Sequence, residues 1–441
     1  MKKCFIQLAV LVLLSVFPIK FCLAVDIKEV ESKSGIRAWL VQNPSVPVIS
    51  MSFAFRSGAV SDPAGKEGRA QFVASMLDEG AGDLNSEAFQ GKIEDLSVRL
   101  KFKANLETFS GSIQTLTRSR AEAFKLLALA LNKPRFDQDP FLRVRAQLSA
   151  SLRRDQEDPD RIASRVWYRS VFGNHPYGRP IGGTLASISN INREDLVLFS
   201  NSFFSRKNLL IGVAGDIGPD ELSMRLDEIF GGLPQGTDRE MLAKPEIQME
   251  GKTIVVEKSL PQSVALFGHR GFKRTDPEWY AAYIVNRILG GGGFSSRLME
   301  EVREKRGLAY GVYSWLNPFE SVGLIMGRVA TSNSRVKNSL DIIREEWRKM
   351  SELAISEEEL QESKNYINGS FPLRLDSSRR IAQMLLAVQV NRLGVEYLNR
   401  RASLINSVTI DQVRKAAKRL LDPGLFTVVV VGKPAGISTS Q

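Results

Sequence analysis

Runs of apolar, often β-branched residues that end in glycine recur along the chain, each led in by an amphipathic stretch of helical period. Ile191-Asn-Arg-Glu-Asp-Leu196 opens one such helix, which runs into the strand Asn208-Leu-Leu-Ile-Gly-Val-Ala-Gly215. Thr409-Ile-Asp-Gln-Val-Arg414 opens another, which runs into Leu425-Phe-Thr-Val-Val-Val-Val-Gly432. Earlier pairs match too. Val48-Ile-Ser-Met-Ser-Phe-Ala-Phe-Arg56 leads to a polar loop with Asp62-Pro63 and a helix, and Ser263-Val-Ala-Leu-Phe-Gly268 leads to a loop with Asp276-Pro277 and a helix. Strands read from composition and helices from period therefore repeat at a spacing near 218 residues, and duplication is the economical explanation.

Between the halves lie Gly231-Gly-Leu-Pro-Gln-Gly236 and a polar stretch to about Gly251, whose glycines, prolines and charges predict a linker. The expected organisation is an N-terminal domain over 25–232, a linker over 233–251, a C-terminal domain over 252–436 and a tail over 437–441. Within each half, strands come early and late with long helices between them, such as Arg118 to Asn132, Arg335 to Leu353 and Ser356 to Tyr366. That order predicts an α+β fold of two homologous domains, each a mixed sheet with helices packed mainly on one face. A length of 441 residues suits two domains better than one core. Hydrophobic and charged fractions of 43% and 25% exclude disordered and fibrous classes.

The first 24 residues read as a signal peptide. Lys2 and Lys3 precede an apolar run from Cys4 to Val16, and Cys22-Leu23-Ala24 has the small-residue ending of a cleavage site. The run is shorter than the roughly 20 residues a membrane span needs, so export to the periplasm is expected, with no stable membrane anchor after cleavage. Ile19-Lys20-Phe21 before Cys22 does not suit lipid attachment, and the segment lacks the arginines of a mitochondrial transit peptide. Cys4 and Cys22, the two cysteines, both lie in this leader, so the mature chain has neither a disulfide nor a cysteine nucleophile. The net charge of +11 becomes +8 on loss of Lys2, Lys3 and Lys20, and it is spread along the chain. A solvated surface is the expectation, with no nucleic-acid partner.

Three local patterns carry the candidate chemistry. Gly290-Gly-Gly-Gly-Phe-Ser-Ser-Arg-Leu298 is followed by Val302-Arg303-Glu-Lys-Arg-Gly307-Leu-Ala-Tyr310. A phosphate loop would need a Gly-Lys-Ser/Thr ending that is not there, so the glycines read as a turn between helices. The second pattern is Gly65-Lys-Glu-Gly68 leading into Arg69-Ala-Gln-Phe-Val-Ala-Ser-Met-Leu77, and the third is Asn174-His-Pro-Tyr-Gly-Arg-Pro-Ile-Gly182. Together these resemble the M16 (pitrilysin, mitochondrial processing peptidase-like) family of zinc peptidases, over about residues 30–435 and most strongly at 286–312. The resemblance implies that Arg303 binds a substrate carbonyl or side group and that Tyr310 hydrogen-bonds the oxyanion of the tetrahedral intermediate.

Active members of that family carry His-x-x-Glu-His where this chain has Gln71, Ala74 and Ser75. An amide is a poor zinc ligand, alanine takes no proton and serine does not replace imidazole. The family's third ligand, a glutamate, falls in a stretch from Pro140 to Arg154 that has no acid, with Ser151 or a neighbour in its place. Composition argues independently in the same direction, because the chain holds only His175 and His269, 94 positions apart in different halves. Structural or surface roles are expected for both. The resemblance thus implies a subunit that binds no metal itself and supplies Arg303 and Tyr310 to a zinc-bearing M16 partner in a heterodimer acting on peptides. The alternatives are a peptide-binding or structural scaffold of the same fold, and a homodimer.

Overall fold

The computed structural model describes residues 26–237, 242–248, 251–352 and 355–440, so the expected leader lies outside the described residues. Two mixed sheets organise the chain. The first contains β1 (Lys28–Glu31), β2 (Arg37–Gln42), β3 (Val48–Phe55), β4 (Arg99–Ala104), β5 (Phe109–Leu116) and β6 (Leu209–Gly215), in the order β1-β2-β6-β3-β5-β4. The second contains β7 (Thr253–Glu257), β8 (Gln262–Gly271), β9 (Gly311–Pro318), β10 (Gly323–Ser332) and β11 (Thr427–Gly432), in the order β7-β11-β8-β10-β9. Apart from the additional β1, the two orders are the same, and β2–β6 and β7–β11 are the parallel pairs in each. This is the α+β architecture with a repeated unit.

The helices begin where local chemistry starts them. Asn192 and Asp195 form a reciprocal capping box ahead of the helix Arg193–Phe203, and Thr409 and Gln412 form one ahead of Ile410–Leu420. Each box satisfies amide groups that the first helical turn leaves without partners. One face of the first sheet, including Ile49, Met51, Phe53 and Phe55, is buried against helices of its own half, and Phe267, Ile325, Val428 and Val430 do the same in the second.

The opposite face of each sheet is covered by a helix from the other half. Pro159–Phe172, started by Asp158 as N-cap with Pro159 in its first turn, buries Ile162, Trp167 and Val171 against Leu266, Leu324, Met326, Val429 and Val431 of the second sheet. Ser378–Val390 buries Leu385 and Val388, together with Trp39 and Val41, against the first sheet. Both contacts are fixed by a side-chain bond to a strand backbone. The Trp167 indole donates to the Thr427 carbonyl (3.2 Å), and the Gln389 amide donates to the Ile211 carbonyl (2.8 Å). The second helix sits so close that a Cβ on Gly212 would lie 2.5 Å from the Ala382 carbonyl oxygen. The stretch between the halves also packs, with Leu242 and Ile247 against this shared core. Among the described residues no helix is long and apolar enough to cross a membrane.

Candidate functional site

The glycine-rich pattern folds as two short π-helical turns on either side of a bend. The helix Trp279–Asn286 continues into Arg287–Gly291, and after the bend the chain forms Met299–Glu304, with the Lys305 amide donating to the Glu300 carbonyl (2.9 Å). Such i→i+5 turns are rare and concentrate at functional positions. Gly290 and Gly291 thus belong to the end of the first helix, and Gly292 and Gly293 make the bend. A Cβ on Gly290 would lie 2.7 Å from the Ser314 backbone nitrogen, so glycine is what lets this turn lie on β9. Ser314 donates to Asn286 (2.9 Å) and holds it there.

Arg303 projects from the second π turn, whose Met299 and Val302 are buried. The chain then turns back through Gly307, whose amide donates to the Arg303 carbonyl (2.8 Å), and reaches Tyr310 immediately before β9. The Arg303 guanidinium consequently lies 4.8 Å from the Tyr310 ring centre and 4.6 Å from that of Phe294. Its Nε is 3.5 Å from Glu304. Tyr310 is 84% exposed and Phe294 68%. Beside Tyr310 opens a surface groove of about 420 Å³ lined by Tyr313, Arg328 and Arg335.

Exposed cation–aromatic contacts contribute only about 0.5–1 kcal/mol, too little for folding to explain two aromatic rings held in water. Phe294 went unassigned in the sequence, although an aromatic residue directly after four glycines was a usable signal: nothing in such a bend can bury it.

Gln71, Ala74 and Ser75 lie on the helix Arg69–Ala74 and its C-cap. Gln71 and Ser75 share a half-buried face, with the Ser75 hydroxyl donating to the Gln71 carbonyl (3.1 Å). Ala74 is buried, and Ser151 lies half-buried on the helix Gln138–Asp155. An amide, a methyl and two hydroxyls do not make a zinc donor set. Among the described residues no group of three or more His, Cys, Asp or Glu side chains could hold a metal ion.

The two histidines stand apart in unrelated settings. His175 hydrogen-bonds the Ala243 carbonyl through Nε2 (2.9 Å) and accepts from the Tyr177 amide at Nδ1 (3.2 Å), tying the inter-domain stretch to its loop. His269 is buried within β8. Its Nε2 accepts from the Trp347 indole (3.0 Å), which leaves Nδ1–H to donate to the Arg270 carbonyl (2.8 Å). Burial pushes its pKa down to about 4.

Residues 190–367, a span that contains the Arg303–Tyr310 stack, match the family model described as Peptidase M16 inactive domain. The crystal structure of a peptidase M16 inactive domain from Pseudomonas fluorescens superposes with a TM-score of 0.87 at 25% identity, covering 94% of this chain and 100% of that one. In this span and in its fold the chain is similar to the M16 peptidase family. Among M16 relatives, a protein named non-peptidase homolog YmxG from Helicobacter pylori is 29% identical over 336 residues, 76% of this chain and 77% of that protein. One named uncharacterized zinc protease YmxG from Bacillus subtilis is 24% identical over 398 residues, 89% and 95% of the two.

Proposed function

We propose that this M16 chain is the exported, non-metal subunit of a heterodimeric peptidase, and that it completes the site of a zinc-bearing M16 partner acting on peptides in the periplasm. The observation that carries this reading is Tyr310, almost fully exposed yet held by the Arg303 guanidinium. A tyrosine hydroxyl fixed outside its own protein's surface is of use to a second molecule. There it donates to the oxyanion that develops on the scissile carbonyl, while Arg303 binds a neighbouring carbonyl or side group of the peptide. Hydrolytic water would come from the partner's zinc, since Gln71, Ala74 and Ser75 offer no ligands for one.

The test is peptide cleavage by the purified pair, with native mass spectrometry giving subunit stoichiometry and metal per subunit. Loss of one oxyanion donor costs about 10²–10³ in rate, so Tyr310→Phe is expected to slow cleavage by that factor, and Arg303→Ala to weaken it as well. Normal cleavage by both variants would remove the assignment. A second reading, an inert peptide-binding scaffold, draws on the residues at 71, 74 and 75 and on the non-peptidase name of the Helicobacter relative. It predicts peptide retention with no cleavage beside any zinc-bearing M16 protein.

A further inference from the structure

Where the second half sends a helix to cover the first sheet, three arginines meet with no acid among them. The helix Trp279–Asn286, the turn Pro372–Arg374, the crossing helix Ser378–Val390 and the helix Tyr397–Asn406 each contribute to the wall of a cavity of about 160 Å³. Arg274, Arg374 and Arg401 line it together with Tyr280, Tyr283 and Tyr397, and its wall carries no aspartate or glutamate. The acids nearest to them in sequence are engaged elsewhere. Asp276 and Glu278 pair with Arg419, and Asp376 pairs with Arg380 (2.8 Å). Among the described residues no carboxylate pairs with any of the three arginines of the cavity.

Two of the guanidinium groups are held by aromatic rings instead. Arg274 lies 4.9 Å from the Trp279 ring centre and 5.5 Å from that of Tyr397, and its Nη2 donates to the Tyr397 hydroxyl (3.1 Å). Arg401 lies 4.1 Å from the Phe371 ring centre and donates to the Ile367 carbonyl (3.4 Å). It is only 7% exposed. Burial disfavours its charge, Arg374 beside it adds repulsion, and together they hold its pKa below the usual arginine range. Contacts with rings return less than the burial of a guanidinium costs. The offset that remains is a negative charge, and no side chain in the wall brings one. An arginine carries about five N–H donors, most of which meet no protein acceptor here among the described residues.

Independently of the peptidase reading, we infer that this cavity binds one tetrahedral oxyanion of the phosphate class, as the free ion or as the end of a phosphomonoester, and that the bound anion braces the crossing helix. Guanidinium groups arriving from three separate segments suit an ion that presents oxygens in several directions and carries a charge of about −1.5 to −2. The volume lies below the roughly 300–1,000 Å³ of pockets for larger ligands, which matches a single small group. Arg374 is exposed, so the cavity meets solvent on its side, where an ester group can protrude. Phe371, Met384 and Tyr397 in the wall also pack against Leu385 and Val388, the residues that seat Ser378–Val390 on the first sheet. An anion that draws this wall together therefore strengthens the contact between the halves.

The test is isothermal titration calorimetry on residues 25–441 at constant ionic strength, with inorganic phosphate, glycerol 3-phosphate and acetate as the probes. Both phosphates are expected to bind at least about tenfold more tightly than acetate and to raise the melting temperature, as a ligand of the folded state must. Tighter binding of glycerol 3-phosphate assigns the site to a monoester and tighter binding of phosphate to the free ion; either order supports the inference. Arg374→Ala, at an exposed position, is expected to weaken phosphate at least about tenfold with circular dichroism unchanged, and Arg374→Glu to abolish binding. Hydrogen exchange across 378–390 is expected to slow on addition of phosphate in the wild-type chain and not in Arg374→Glu. Acetate that binds as tightly as phosphate, or phosphate binding that survives in Arg374→Glu, would overturn the site. Exchange across 378–390 that does not respond to phosphate would overturn the brace.

Discussion

Phe294 and Tyr310 show how a side chain can be placed for use at little energetic gain to its own fold. Each is mostly in water, and each touches the Arg303 guanidinium. Phe294→Ala is expected to change stability by no more than about 1 kcal/mol, yet to lower cleavage by the reconstituted pair, because Arg303 then loses one of the two rings that orient it. Unaltered cleavage would make Phe294 a bystander. His269 behaves in the opposite way, since its role is internal and its signature is thermodynamic. With a folded pKa near 4 against about 6.5 unfolded, the unfolded chain takes up a proton that the folded chain refuses. Stability is complete above pH 6.5 and falls as the pH drops toward 4, by up to about 3 kcal/mol. Urea denaturation at pH 7, 5.5 and 4.5 should show this decline, with a shallower one in His269→Gln; parallel curves would contradict it.

At the scale of elements, the helix starts, the glycine-ended strands and the order of strands and helices were all legible in the sequence, because each is set by local chemistry. Asn192 and Thr409 mark helix starts within one residue. What local pattern could not disclose is the target of an apolar helix face. Ile162, Trp167 and Val171 announce that Pro159–Phe172 buries one side, but nothing in their spacing says that the surface beneath is the other half's sheet. The π turns were illegible for a related reason: they depend on Gly290 settling against Ser314, a contact across 24 positions. Trp167 is fully buried and bonds across the halves, so Trp167→Ala is expected to cost about 3–5 kcal/mol. A loss under 1 kcal/mol in chemical denaturation would show the crossing contact to be dispensable.

For the whole molecule, the exchange of helices makes the repeated halves mutually dependent. Residues 252–440 produced alone would leave Leu266, Leu324, Met326, Val429 and Val431 uncovered, a contiguous apolar surface of the kind that drives association. The isolated C-terminal half is expected to aggregate or to bind a hydrophobic dye, and co-production with residues 25–251 should restore a soluble, cooperatively melting complex. A monodisperse, dye-free C-terminal half would refute this. The candidate chemistry was legible at this scale only through family likeness, which supplied Arg303 and Tyr310.

Because each sheet is roofed by a helix rooted beneath its neighbour, pulling the halves apart would strip both roofs together. The chain should accordingly travel as a single stiff shell, and under the proposed function the gape that admits a substrate opens along the seam with the proposed partner, outside this polypeptide.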